Sequence, residues 1–221
     1  MDTPDLAPRI LLHHSRLPPP PAAAVAARWL AALPEARRER LLALRRPVDR
    51  AASLAGLALL LAAARRAGLA PPRLDALEWP PAGKPRWRGG ARLRGAHGGG
   101  RVGCALLTVP GRVGLDVEPD EAAAAGELRL VLHPGESAPA DRAAATALWV
   151  AKESVLKAAG AGITAAAAVR VEADAARYAG TRWMLWRPLL SPGCSCALAC
   201  DVAAAPEVTE EEADALLAAG P

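Results

Sequence analysis

Val113-Gly114-Leu115-Asp116-Val117-Glu118 is the stretch from which the rest of this chain is best read. A Pro110-Gly111 turn precedes it, and the run from Arg112 to Glu118 is predicted to be a strand. In a strand, side chains at i and i+2 leave on the same face, so Asp116 and Glu118 point one way while Val117 points into the core. Two carboxylates about 7 Å apart on one face repel unless a cation or cationic side chains lie between them. Hard oxygen ligands of this kind suit Mg²⁺, which keeps several waters and binds substrate phosphates as well. Charged residues at the end of an edge strand are also common, so this pair alone does not decide the matter.

Downstream lies Leu148-Trp149-Val150-Ala151-Lys152-Glu153-Ser154-Val155-Leu156-Lys157-Ala158-Ala159-Gly160. Glu153 and Lys157, four apart, share a helix face with Trp149, and Leu148, Val155 and Ala159 form the adjoining apolar stripe. An ordinary surface ion pair accounts for such spacing. Lysine usage singles the segment out, however: of 27 basic residues only Lys84, Lys152 and Lys157 are lysines, and two of them fall on this helix. The helix is predicted to run from Ser137, as N-cap, through Pro139 in its first turn to Ala159, with Gly160 closing it.

Working outward, a strand is expected over Arg9 to Ser15 and helices over Ala22 to Leu33, Pro34 to Leu44 and Pro47 to Gly68. Pro71 to Gly100 reads as loops with a strand near Ala91 to Arg94, followed by a strand from Val102 to Val109. Beyond the long helix, strands are expected at Ala166 to Glu172, Arg182 to Arg187 and Cys194 to Val202, and a short helix at Glu210 to Leu217. Helices and antiparallel-looking strands in both halves give an α+β class. Residues 1–112 hold 19 Lys or Arg against 7 Asp or Glu, whereas residues 113–221 hold 8 against 16. The chain therefore divides near residue 112 into a basic half and an acidic half, a polarity suited to a metal-dependent enzyme acting on a phosphorylated substrate.

Several classes are disfavoured. The first residues lack a basic leader followed by an apolar run, and the longest apolar stretch, Leu54 to Ala64, is too short to span a bilayer, so a cytoplasmic protein without a membrane partner is expected. Cys194, Cys196 and Cys200 share one strand face with Leu198 and Val202 and read, with Cys104, as small buried residues rather than a zinc site. No G-x-S-x-G elbow occurs, and His13, His14, His97 and His133 lack zinc spacing. A nucleic-acid-binding module would use the basic half, but aromatic platforms and known binding signatures are missing, so no nucleic-acid partner is expected.

The two signatures together resemble the Sfp-type 4'-phosphopantetheinyl transferases, whose G-[IV]-D-[IV]-E strand and W-x-x-K-E-[AS]-x-x-K helix are matched by Gly114 to Glu118 and Trp149 to Lys157. Weaker matches are Pro34 to Arg40, Asp49 to Leu54 and Gly83-Lys84-Pro85. The resemblance implies two similar α+β halves, 1–112 and 113–221, related by a pseudo-twofold axis with coenzyme A in the cleft. It implies Asp116, Glu118 and Glu153 as Mg²⁺ ligands, Lys157 at the coenzyme A pyrophosphate and Lys152 beside it; on these residues Glu153, or a water it orients, is expected to act as the base. Arg37, Arg40, Lys84 and His97 would hold the nucleotide end, chiefly its 3'-phosphate.

The implied partner is an apo acyl or peptidyl carrier protein, met by a monomer through the arginine-rich region Arg86 to Arg101. Where the family reads F-N-x-S-H-S, this chain has Leu93-Arg94-Gly95-Ala96-His97-Gly98, keeping the histidine without its serine. A non-catalytic interaction protein on the same fold is the alternative that this departure admits.

Overall fold

Four strands in which alternate residues are small or branched and apolar build the centre of the molecule: β1 (Ile10–Arg16), β5 (Arg101–Leu107), β6 (Val113–Pro119) and β10 (Cys194–Cys200). In the computed structural model, which describes residues 7–69, 73–79, 85–87, 90–123 and 131–221, one face of each strand supplies a shared buried cluster. Ile10, Leu12, Ala105 and Leu107 meet Val113, Leu115, Val117, Cys196, Leu198 and Cys200 there. Period-two alternation thus gives each sheet one face for the other sheet and one for helices.

The first sheet runs in the order β11-β1-β5-β4-β3-β2, with β2 (Leu77–Glu78), β3 (Arg86–Trp87), β4 (Arg92–Gly98) and β11 (Pro206–Glu210). The second runs β6-β10-β9-β8-β7, with β7 (Arg170–Val171), β8 (Ala175–Tyr178) and β9 (Thr181–Trp186). Two packed sheets with helices make the fold α+β, as the sequence predicts. All described pairings are antiparallel except β1 with β11.

Helices α1 (Ala23–Ala31), α2 (Glu35–Leu42), α3 (Pro47–Arg66), α4 (Arg142–Ala159) and α5 (Ala213–Ala219) complete the layers. The outer face of the first sheet (Leu11, Cys104 and Leu106) packs with Trp29, Leu61 and Leu217 from α1, α3 and α5. By length and composition α3 resembles a membrane span, but 61% of its apolar window is buried inside the protein, where it serves as a core helix. The outer face of the second sheet (Ala197, Ala199 and Leu185) carries α4 through Val150, Ala151 and Val155. All four cysteines are buried and unpaired, and burial pushes the Cys104 thiol up to about 12, as expected of small core residues.

Three sequence expectations are corrected. Helix α4 starts at Arg142 rather than near Ser137, because Asp141 caps it: its carboxylate accepts the Ala144 amide at 2.7 Å. Pro139, meanwhile, biases the residue before it away from helical backbone. Gly160, at φ +78°, closes the helix as predicted. The strand expected at Ala166 to Glu172 is a 3-10 helix (Ile163–Ala168) followed by the two-residue β7. There the Ala166 and Val169 carbonyls accept from a buried lysine ammonium rather than from a neighbouring strand.

The third correction concerns the tail. Before the helix expected at Glu210 to Leu217, which forms at Ala213–Ala219, residues Pro206–Glu210 make a strand parallel to β1. Acidic side chains of this segment meet bases of the first sheet: Glu207 pairs with Arg9 at 2.8 Å, Glu210 with Arg101 at 2.5 Å and Glu211 with His13 at 2.8 Å. The tail therefore crosses back to the half from which the chain began.

Candidate active site

The site begins with the absence of a side chain. A Cβ on Gly114 would lie 1.9 Å from the Ser154 carbonyl oxygen and 2.6 Å from the Ala158 nitrogen, both backbone atoms of α4. Only glycine lets α4 lie this close on β6. Asp116 shares Gly114's strand face and so emerges beside the next helical positions outward. Lys157 forms a short ion pair with Asp116 Oδ1, and its ammonium lies 3.8 Å from Glu153 Oε2. One ammonium thus reaches a carboxylate from the strand and one from the helix.

Asp116 is 3% exposed, and its Oδ2 is buried without a hydrogen-bond partner. Burial pushes its carboxyl above the ordinary carboxylate range, while Lys157, the Val117 amide and Arg94 pull the other way. Glu118 is raised by burial and then by the charges of Asp116 and Glu153. Glu153 is raised by burial as well, with Lys157 and Arg94 opposing and Asp116 adding to the rise. Three carboxylates in electrostatic contact, each resisting ionisation, form a site that a cation would relieve.

Beside this cluster a cleft of about 320 Å³ opens between α2, α3, β4 and β5, lined by Arg37, Ser53, Trp79, Arg94, His97 and Gly103 among others. The Arg37 guanidinium lies over the Trp79 ring at 5.2 Å, and its Nε is buried without a partner. Arg40, one turn along α2, is close enough to lower Arg37 further after burial has done so. His97 is exposed at the cleft. Arg37 and His97 are therefore gathered at one opening, with Arg40 near Arg37, while Lys84 lies outside the described residues. The cleft abuts β6 because β4 also ends in glycine: a Cβ on Gly98 would sit 2.0 Å from the Val117 carbonyl oxygen.

Lys152 is the exception, and its expected place beside the pyrophosphate is corrected. Its side chain is fully buried on another face of α4, with Nζ 2.7 Å from Glu136 Oε2 and donating to the carbonyls of Val169 at 2.5 Å and Ala166 at 3.3 Å. Burial pushes this ammonium down, against the pull of Glu136. Burial alone would raise Glu136, yet Lys152 and the Val171 and His133 amides bring it below its ordinary value. Lys152 is thus a structural tie between α4 and the 163–171 segment. Lys152→Ala would leave the partly buried Glu136 carboxylate with only its two backbone amides and the Val169 and Ala166 carbonyls without their donor, and is expected to lower stability by about 2–4 kcal/mol, measurable by urea unfolding.

Sequence reading points to Arg94, with Arg101, as a replacement for the missing serine hydroxyl, but misses Glu136 and the steric need for Gly98. Glu136 offers no signal, since its partner is 16 residues away on an undetermined helix face.

The donor set suits a hard divalent cation, given three carboxylates and an orphaned buried oxygen on Asp116. As the side chains stand, the Lys157 ammonium stands where such a cation would balance the charge. Among the described residues no three His, Cys, Asp or Glu side chains are drawn into a preassembled cage.

The α+β fold thus sets an acidic strand-and-helix cluster beside a basic cleft. Residues 112–183, which contain β6 and α4, match the family model of the 4'-phosphopantetheinyl transferase superfamily. No curated protein matches the chain.

Proposed function

We propose that this protein transfers the 4'-phosphopantetheine arm of coenzyme A to a serine of an apo acyl or peptidyl carrier protein and releases 3',5'-ADP. The observation that carries this reading is the convergence of Asp116, Glu153 and Lys157 at the β6–α4 junction, next to a cleft lined by Arg37, Arg94 and His97. The partner's hydroxyl is the nucleophile, so the cluster has only to bind, orient and move a proton. A bond forms from the serine oxygen to the β-phosphorus of coenzyme A, and the diphosphate P–O bond breaks toward 3',5'-ADP.

Asp116, Glu118 and Glu153 would hold Mg²⁺, which when bound supplies charge neutralisation and polarisation at the diphosphate. The raised affinity of Glu153 for a proton suits it to accept the serine proton directly or through a water. Lys157, already within reach of both carboxylates, offers its charge to the leaving phosphate. Arg37, Arg40 and His97 line or flank the cleft in which the nucleotide would lie, and Lys84 is assigned there by the resemblance alone.

Equal strand order supports the relation between halves. β1-β5-β4-β3-β2 and β6-β10-β9-β8-β7 each run from the half's first strand through its last and back. Each sheet also carries a long helix, α3 or α4, on its outer face. In this reading residues 1–112 and 113–221 are pseudo-twofold mates, with β11 and α5 an addition to the first.

Incubation with coenzyme A, Mg²⁺ and a panel of apo-carriers, followed by intact-mass spectrometry, tests the proposal. A gain of about 340 Da on a carrier, abolished by chelation, is expected from the transferred group. No gain on any acyl or peptidyl carrier would overturn it.

A further inference from the structure

Arg94 is the described cation that both lines the basic cleft and faces the acid cluster. It leaves β4 on the face opposite Leu93, which is buried against α3, and so is directed toward the second sheet. Its Nε is buried without a hydrogen-bond partner, and among the described residues its guanidinium makes no hydrogen bond or ion pair. A buried Nε–H left without an acceptor is costly unless a ligand completes it. The acid cluster explains its presence only in part: Asp116 and Glu153 act on it through space, without an ion pair. Two residues along the same strand face stands Ala96, which offers no hydroxyl to an anion.

Resting on the phosphopantetheine-transfer reading, we propose that Arg94 is a substrate-binding residue that donates from its guanidinium to the diphosphate of coenzyme A, at the point where the cleft meets the acid cluster. A diphosphate lying between the cleft and Lys157 passes this guanidinium, and a bidentate contact there satisfies the donors that the protein leaves unpaired. The nucleotide's 3'-phosphate belongs farther into the cleft, toward Arg37. Arg94 also opposes any cation held by Asp116 and Glu153, so its removal moves the two ligands in opposite directions: the phosphate substrate weakens and the cation tightens.

The test uses the full chain and its Arg94→Gln and Arg94→Lys variants, with titration calorimetry of coenzyme A and of dephospho-coenzyme A, and of Mg²⁺ alone. Arg94→Gln is expected to weaken both coenzymes by the same factor, about 10- to 100-fold, with Arg94→Lys recovering part of it. Mg²⁺ alone should bind at least as tightly in Arg94→Gln as in the parent, and the variant should stay folded, because no hydrogen bond or ion pair among the described residues is lost. Unchanged coenzyme A affinity in Arg94→Gln would overturn the inference. So would a loss seen with coenzyme A but not with its dephospho form, since Arg94 would then read the 3'-phosphate. A parent protein that binds neither coenzyme would defeat the transferase reading itself, whereas a parent that transfers normally alongside an unaffected variant would defeat only the role of Arg94.

Discussion

Glu153→Gln is expected to lower phosphopantetheine transfer by about 10²- to 10⁴-fold at saturating Mg²⁺, the range lost when a general base is removed. Glutamine keeps the shape of the side chain, so α4 and its contacts with Ala197 and Ala199 are undisturbed. What disappears is a carboxylate that lies 3.8 Å from the Lys157 ammonium and senses the charges of Asp116 and Arg94. Transfer within threefold of the parent would remove Glu153 from the chemistry. The same variant carries a signature in stability.

The folded protein holds the Glu153 proton more tightly than the unfolded chain does. Its contribution is therefore fully present below the ordinary glutamate value and is lost as pH rises through the raised one. Gln cannot ionise. The Tm of the metal-free variant, relative to the parent, should thus climb as pH passes upward through that window, and a difference flat in pH would show that Glu153 ionises as freely folded as unfolded.

Gly114→Val should have the largest structural effect. The new Cβ would fall on the Ser154 carbonyl and the Ala158 nitrogen, and neither is the movable end of a flexible side chain. Helix α4 must then lift off β6. Overpacking of this kind costs about 3 kcal/mol or more, a fall in Tm of roughly 6–12 °C for a chain of this size. The lift also parts Glu153 and Lys157 from Asp116, so transfer should drop in the fraction that remains folded. A variant with parental Tm and parental turnover would mean that the helix does not sit on this strand as described.

How much of this was legible in the sequence depends on whether a feature is local. The two carboxylates of β6 and the Glu153–Lys157 spacing follow from periods of two and four, and the structure brings Asp116, Glu153 and Lys157 together. The end of α4 was legible because Gly160 supplies a left-handed backbone. Its start was not, since Ser137 and Asp141 both offer caps and only the folded chain chooses. Lys152 was misplaced for a different reason: it adjoins Glu153 in sequence but lies about 100° around the helix, where burial rather than ligand sets its partners. β11 escaped notice because its acidic, alternating residues have no apolar stripe and gain their place from Arg9, Arg101 and His13 across the sheet.

The most direct measurement is calorimetric titration of Mg²⁺, with coenzyme A present, into the parent protein and into Asp116→Asn, Glu118→Gln and Glu153→Gln. Each loss of a carboxylate is expected to weaken Mg²⁺ by about tenfold or more, as for the removal of one charged contact. Equal Mg²⁺ affinity in the parent and in all three variants would contradict the claim that these three side chains hold the cation.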